Sequence, residues 1–158
     1  MKTSTNTIAV TSSAFENDQP IPKKFTGDGQ DVSPPLAWKD APAGTKQWAL
    51  ICDDPDAPGR IWVHWVLFNL PGNLRSLKEG VPAQETFEDA SRQGQNDFGN
   101  LGYGGPAPPR GKPHRYEFKL YALDAMLTLP ARAKKDDVIK AMTGHILEEG
   151  QLMGKYQR

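Results

Sequence analysis

Ile61-Trp62-Val63-His64-Trp65-Val66-Leu67-Phe68-Asn69-Leu70 is the most hydrophobic stretch of the chain, and it reads as a β-strand. Its two alternating sets are Ile61, Val63, Trp65, Leu67 and Trp62, His64, Val66, Phe68. Both sets are apolar apart from the histidine, the mark of a central strand covered on both faces. The run is also too short for a bilayer, since a membrane-spanning helix needs roughly 20 apolar residues.

Working outward, Gln47-Trp48-Ala49-Leu50-Ile51-Cys52-Asp53 is a second compact apolar run, closed by acids and proline. His114 to Leu123 alternates more cleanly. Arg115, Glu117 and Lys119 point one way, while His114, Tyr116, Phe118, Leu120 and Ala122 point the other, as in a half-buried strand of an antiparallel sheet. Helix is confined to the C-terminal third. There Asp136 and Asp137 complement the start of a segment with Val138, Ile139 and Met142 on one side. Gly144 interrupts that segment, and His145 to Glu149 is expected to form a second short helical turn before Gly150 and Gly154.

The chain has 14 prolines and 15 glycines, many in short clusters. That punctuation favours short strands joined by structured loops over a helical bundle. With no internal repeat and no linker long enough to divide it, the sequence predicts one domain over residues 1–158. The expected fold is mostly β, with two packed sheets and one or two peripheral helices.

Composition removes several function classes. Acids and bases balance at 19 each, and no basic stripe is interleaved with aromatics, which argues against nucleic-acid binding. Cys52 is the only cysteine, so an intrachain disulfide and a cysteine-based zinc cluster are excluded. The N-terminus is polar up to Thr7 and then offers only Ile8 to Val10, short of a secretory core. The expectation is a cytoplasmic protein without integral membrane association.

Three segments put polar groups where packing alone prefers apolar ones. Asp53-Asp54-Pro55-Asp56-Ala57-Pro58 follows a hydrophobic strand directly; taken alone it is also an ordinary solvated turn. His64 sits inside an apolar strand and must find a hydrogen-bond partner or lose its charge; taken singly, a satisfied core histidine is the usual explanation for such a residue. Between Gly94 and Pro113, glycine and proline make up ten of twenty residues, leading straight into His114-Arg115-Tyr116. Such a loop can bring bare backbone N–H groups against an anion. It is not a nucleotide P-loop, lacking the Gly-Lys-Ser/Thr ending and the following helix. If the three strands are neighbours, two imidazoles, one or two carboxylates and free amides meet at one sheet edge.

The same segments carry a resemblance. Asp31-Val32-Ser33-Pro34-Pro35-Leu36-Ala37-Trp38, Asp54-Pro55-Asp56-Ala57-Pro58, Trp62-Val63-His64-Trp65 with Phe68-Asn69-Leu70-Pro71, and Gly105-Pro106-x-Pro108-Pro109-x-Gly111-x-x-His114-Arg115-Tyr116 occur in order. Together, from about Phe15 to Arg158, they resemble the phosphatidylethanolamine-binding protein family in its bacterial Raf-kinase-inhibitor-like branch. The resemblance implies a large central antiparallel sheet packed on a smaller one, with a few peripheral helices. It also implies a pocket for phosphate, phosphoethanolamine headgroups, acetate or similar anions, formed by Asp54, Asp56, Pro58, Trp62, His64, Gly105, Pro106, His114 and Tyr116. Bacterial relatives often carry cysteine where Ala107 stands, so no thiol role falls in this loop. Eukaryotic members have a longer C-terminal part that helps close the pocket, whereas this sequence ends at Arg158. Both departures weaken any transfer of kinase regulation or lipid recognition.

The leading expectation is a binding module without catalytic residue, metal or cofactor. His64, His114, Tyr116 and loop amides hold the anion, and Asp54 and Asp56 orient the imidazoles or receive a ligand ammonium. Its partners are the small anion and, through the pocket rim, a kinase or protease; the chain is a monomer or homodimer. The alternative is a metal-dependent hydrolase in which Asp54, Asp56, His64 and His114 ligate the ion. That spacing matches no familiar metal motif, and a serine hydrolase is disfavoured because no Gly-x-Ser-x-Gly elbow is present.

Overall fold

The computed structural model describes residues 8–158. Nine strands and one α-helix run in the order β1 (Ala9–Thr11), β2 (Gln19–Pro20), β3 (Leu36–Lys39), β4 (Gln47–Asp54), β5 (Trp62–Pro71), β6 (Ser76–Leu77), β7 (Arg92–Gln93), β8 (His114–Leu123), α1 (Lys135–Met142) and β9 (Ile146–Tyr156). A six-stranded sheet has the order β2-β9-β8-β4-β5-β7, and a three-stranded sheet the order β1-β3-β6. The large sheet is antiparallel except where β2 lies parallel to β9 at one edge. The mostly β architecture and its two sheets are those expected. Among the described residues no helix is long and apolar enough to cross a membrane.

The strand lengths explain the core. β4 is the innermost strand, and Trp48 to Cys52 are almost wholly buried. On one face of the large sheet Trp48, Leu50, Cys52, Trp65, Leu67, Phe118 and Leu120 pack toward the small sheet, meeting Val10, Leu36 and Trp38. On the other face Ala49, Ile51, Val63, Val66 and Phe68 pack against Val138 and Met142 of α1. Ile139, expected on the packed side of that helix, is exposed instead. Val138 and Met142 stack one turn apart, and Ile139 lies one residue round from their line.

β5 departs from simple alternation. Cys52 pairs with Trp65 but Asp53 pairs with Val63, so His64 is an extra residue on β5 at a β-bulge. His64 consequently shares a face with Trp65, whereas period-two counting grouped it with Val66 and Phe68. A second irregularity lies between Trp48 and Leu50, where Asn69 sits at φ 57°. The Asn69 side chain accepts from Leu127 N at 2.8 Å and donates to Leu127 O at 2.9 Å, tying the bulge to the following loop.

The segment His145 to Glu149, expected as a helical turn, opens β9 from Ile146 onward. Its glycines do not end an element. A β-carbon at Gly150 would stand 2.4 Å from Ile8 O, and one at Gly154 would stand 2.4 Å from Ile21 Cγ1. Glycine is present because Ile8, just before β1, and Ile21, just after β2, approach the strand closely there.

Candidate functional site

The strand order decides the site. β4 lies between β5 and β8 and is antiparallel to both, so its C-terminal end meets the beginnings of the other two. Asp54 pairs with Trp62 across β4–β5, and Asp53 pairs with Glu117 across β4–β8, one step from Tyr116. Even positions of β4 face the small sheet, so Asp54 points to one side and Asp53 to the other. The bulge turns His64 to the side of Asp54 and Tyr116. A cavity of about 290 Å³ opens there, lined by Asp54, Ala57, Pro58, Trp62, His64, Phe98, Ala107, Pro108, Pro109, His114 and Tyr116.

Each imidazole is held through one nitrogen. His114 Nδ1 lies 2.7 Å from Asp54 Oδ2 and donates to it, while Asp54 Oδ1 accepts from Asp56 N at 2.7 Å. His64 Nδ1 lies 2.5 Å from Gly104 O. A carbonyl only accepts, so Nδ1 of His64 carries the hydrogen and Nε2 is left for the contents of the cavity. Burial lowers the pKa of His64 below its ordinary value; the Gly104 carbonyl and the carboxylates of Asp54, Asp53 and Asp31 oppose that shift without cancelling it. His64 is therefore neutral near pH 7. The aromatic rings around it meet edge to face: Tyr116 at 5.1 Å and 84°, Phe98 at 5.4 Å and 73°. Phe98 continues to Trp62 at 5.5 Å, and Arg60 covers the Trp62 ring from outside.

Tyr116 is 1% exposed, and its hydroxyl has no hydrogen-bond partner among the described residues. Burial, with the charge of Asp54 nearby, pushes its phenol pKa upward, so it stays protonated and can donate. Buried polar groups without a partner are uncommon, and one at the wall of a cavity marks where a ligand atom or water belongs.

The loop over the cavity is pinned along its length. Asn96 accepts from Phe98 N and Asn100 N and donates to Gly102 O. Asp97 accepts from Val63 N at 2.7 Å, and Gly104 N donates to His64 O at 2.9 Å. Tyr103 Oη donates to Phe25 O, Gly27 N donates to Pro106 O, and Arg158 donates to Pro108 O while it grips Asp28. The prolines restrict the rest.

Of the residues expected at the site, Asp54, Pro58, Trp62, His64, His114 and Tyr116 line the cavity, whereas Asp56, Gly105 and Pro106 do not. Asp56 turns away to accept from Arg115 Nε at 3.0 Å and Nη2 at 2.8 Å; this guanidinium holds its carboxyl down at about 2. Gly105 N spends its hydrogen on Asp31 Oδ1 at 2.7 Å, so it is not a free amide for an anion. Pro106 faces Gly27 through its carbonyl. Phe98, Ala57, Ala107, Pro108 and Pro109 also line the cavity, beyond the residues that the resemblance implies. With Asp56 turned out, the four groups of the metal-hydrolase alternative do not converge, and no cluster of three metal-binding side chains stands among the described residues.

The model of a family described as phosphatidylethanolamine-binding protein matches residues 11–157. The chain belongs to that family. A UPF0098 protein of Methanothermobacter thermautotrophicus is 52% identical over 145 residues, covering 92% of this chain and 95% of the relative. One of Aquifex aeolicus is 46% identical over 153 residues, covering 96% and 89%. Among solved structures, a phosphatidylethanolamine-binding protein homolog of Chlamydia trachomatis superposes with a TM-score of 0.87 at 38% identity, covering 98% of this chain and 99% of that one. Escherichia coli YbcL, described as a member of the mammalian phosphatidylethanolamine-binding protein family, gives 0.88 at 29% identity, covering 96% and 99%. These descriptions name no enzymatic activity.

Proposed function

We propose that this member of the phosphatidylethanolamine-binding protein family binds small phosphoryl anions, such as phosphate or the headgroup phosphoethanolamine, in the cavity at the C-terminal end of β4. The carrying observation is the convergence there of two imidazoles, each anchored through Nδ1, and the partnerless hydroxyl of Tyr116. Asp54 positions His114, whose protonated form presents Nε2–H to the ligand next to Tyr116 Oη–H. Hydrogen bonds to a charged group are about twice as strong as neutral ones, and apolar walls of proline and aromatic residues strengthen them further. The Asp56 carboxylate does not line the cavity: it fastens the start of β8 through Arg115, while the Asp56 backbone N–H holds Asp54 Oδ1.

Inorganic phosphate tests the reading by differential scanning calorimetry. A ligand at a hundred times its dissociation constant adds about 2.7 kcal/mol, which for a domain of this size raises Tm by roughly 5–10 °C. His114→Ala is expected to abolish most of that rise. A folded variant that kept the full rise would place the anion elsewhere.

A further inference from the structure

The cavity differs from a general anion site in its charges and in the polarity of its hydrogen bonds. Among the described residues no lysine or arginine lines it, and the one carboxylate that does, Asp54, is occupied by His114. The His114–Asp54 pair carries no net positive charge, so every negative charge on a ligand enters proline and aromatic walls uncompensated, and a dianion brings twice what a monoanion does. His64 adds the second constraint. Its Nδ1 hydrogen is committed to Gly104 O, so the uncharged ring faces the cavity with a lone pair on Nε2. An occupant made only of acceptor oxygens sets a lone pair against that lone pair. An occupant that carries a hydrogen donates it there.

The proposal rests on the anion-binding reading above and narrows it. We infer that the pocket selects a singly charged oxyanion that retains an acidic hydrogen, a phosphomonoester or phosphate monoanion, over dianions such as sulfate and over hydrogen-free monoanions such as phosphodiesters. His64 is the specificity-determining residue: its Nε2 accepts the P–O–H hydrogen, while His114 Nε2–H and Tyr116 Oη–H donate to the charged oxygens. The groups around His64 set its state. Asp54 approaches from β4 and Asp53 acts from the opposite face of the same strand, Asp31 lies in the segment before β3, His114 and Tyr116 come from β8, and Phe98 and Gly104 from the covering loop. The carboxylates favour its charged form, but burial outweighs them and the ring stays an acceptor. The diester linkage of a phospholipid offers no such hydrogen, so a soluble phosphomonoester fits the pocket better than a lipid headgroup in place.

Titration calorimetry with methyl phosphate, dimethyl phosphate and sulfate between pH 5.5 and 8 tests this on the unaltered protein. At pH 5.5, where methyl phosphate is mostly singly charged, it is expected to bind at least tenfold more tightly than either of the others, the scale of one satisfied against one unsatisfied buried acceptor. Above pH ~6, where phosphomonoesters lose their second hydrogen, its affinity is expected to fall more steeply than that of dimethyl phosphate, by one further linked proton. In His64→Phe, which keeps the edge-to-face packing and removes the acceptor, the preference over dimethyl phosphate should collapse. Equal or tighter binding of sulfate or dimethyl phosphate, or parallel pH slopes, overturns the selectivity and leaves the anion site standing. Binding of none of the three overturns the anion reading itself.

Discussion

Tyr116→Phe separates the two roles that a buried hydroxyl can have. The oxygen bonds to no described residue, so its removal takes away no hydrogen bond among them. An unsatisfied buried hydroxyl costs about 1–3 kcal/mol, less whatever water in the open cavity recovers. The ligand-free variant should therefore unfold at the same urea concentration as the parent or a higher one, with an unchanged m-value. Phosphate binding moves the opposite way. A hydrogen bond to a charged acceptor is worth about 1.5–3 kcal/mol, a loss of roughly 10- to 150-fold in affinity. The two effects are read in one experiment, urea unfolding monitored by tryptophan fluorescence with and without inorganic phosphate. A variant destabilised by more than about 1 kcal/mol, the scale of one lost hydrogen bond, with phosphate affinity intact would show the hydroxyl to be a structural donor.

Two predictions concern charges behind the site. Asp53 is fully buried and is held by Lys135 Nζ at 2.7 Å and Lys119 Nζ at 3.3 Å; Lys135→Ala should cost up to about 3 kcal/mol in chemical unfolding, the low end for a broken buried pair, because Lys119 remains. A loss below about 0.5 kcal/mol, the level of a surface change, would show that Lys135 adds nothing to the anchoring of α1. Asp56 titrates at about 2 when folded against 3.8 for the free group, so it contributes stability above pH 3.8 that is lost as pH falls toward 2. Arg115→Met should shrink the stability difference between pH 5 and pH 2.5, and an unchanged difference would assign that acid sensitivity to other carboxylates.

Much of the scaffold is legible because its central strands are long and apolar. β8 begins at His114 and ends at Leu123 as the alternation predicts, and the apolar run into Asp53 is β4 extended by one residue. β9 escapes because its glycines look like terminators, when they are there for the close approach of Ile8 and Ile21, a contact between distant parts of the chain. The site divides in the same way. His64, His114 and Asp54 stand out as polar groups at the margins of apolar runs, but their meeting depends on β8 choosing β4 as its neighbour across more than sixty residues, which no local pattern encodes. The family resemblance implies Asp56 and Gly105 as binding residues, yet the carboxylate of one and the amide of the other are held by partners, Arg115 and Asp31, that proximity in sequence does not reveal. Phe98 is one of two aromatics, with Tyr103, in the glycine- and proline-rich loop, and only the fold of that loop over β5 brings it to the imidazole.

On either side of His64 the β5 ladder keeps the same phase. Trp62 still faces the cavity, Val63 still faces α1, and Trp65 resumes the inner face as if nothing intervened. The imidazole is thus interpolated into a strand whose packing is complete without it. Core and pocket answer to different constraints along the same ten residues of β5: the paired positions are held to volume and apolarity on both faces, while the interpolated one is held only to what the cavity must recognise. Substitution at position 64 can retune the ligand while every cross-strand pair around it stays in register.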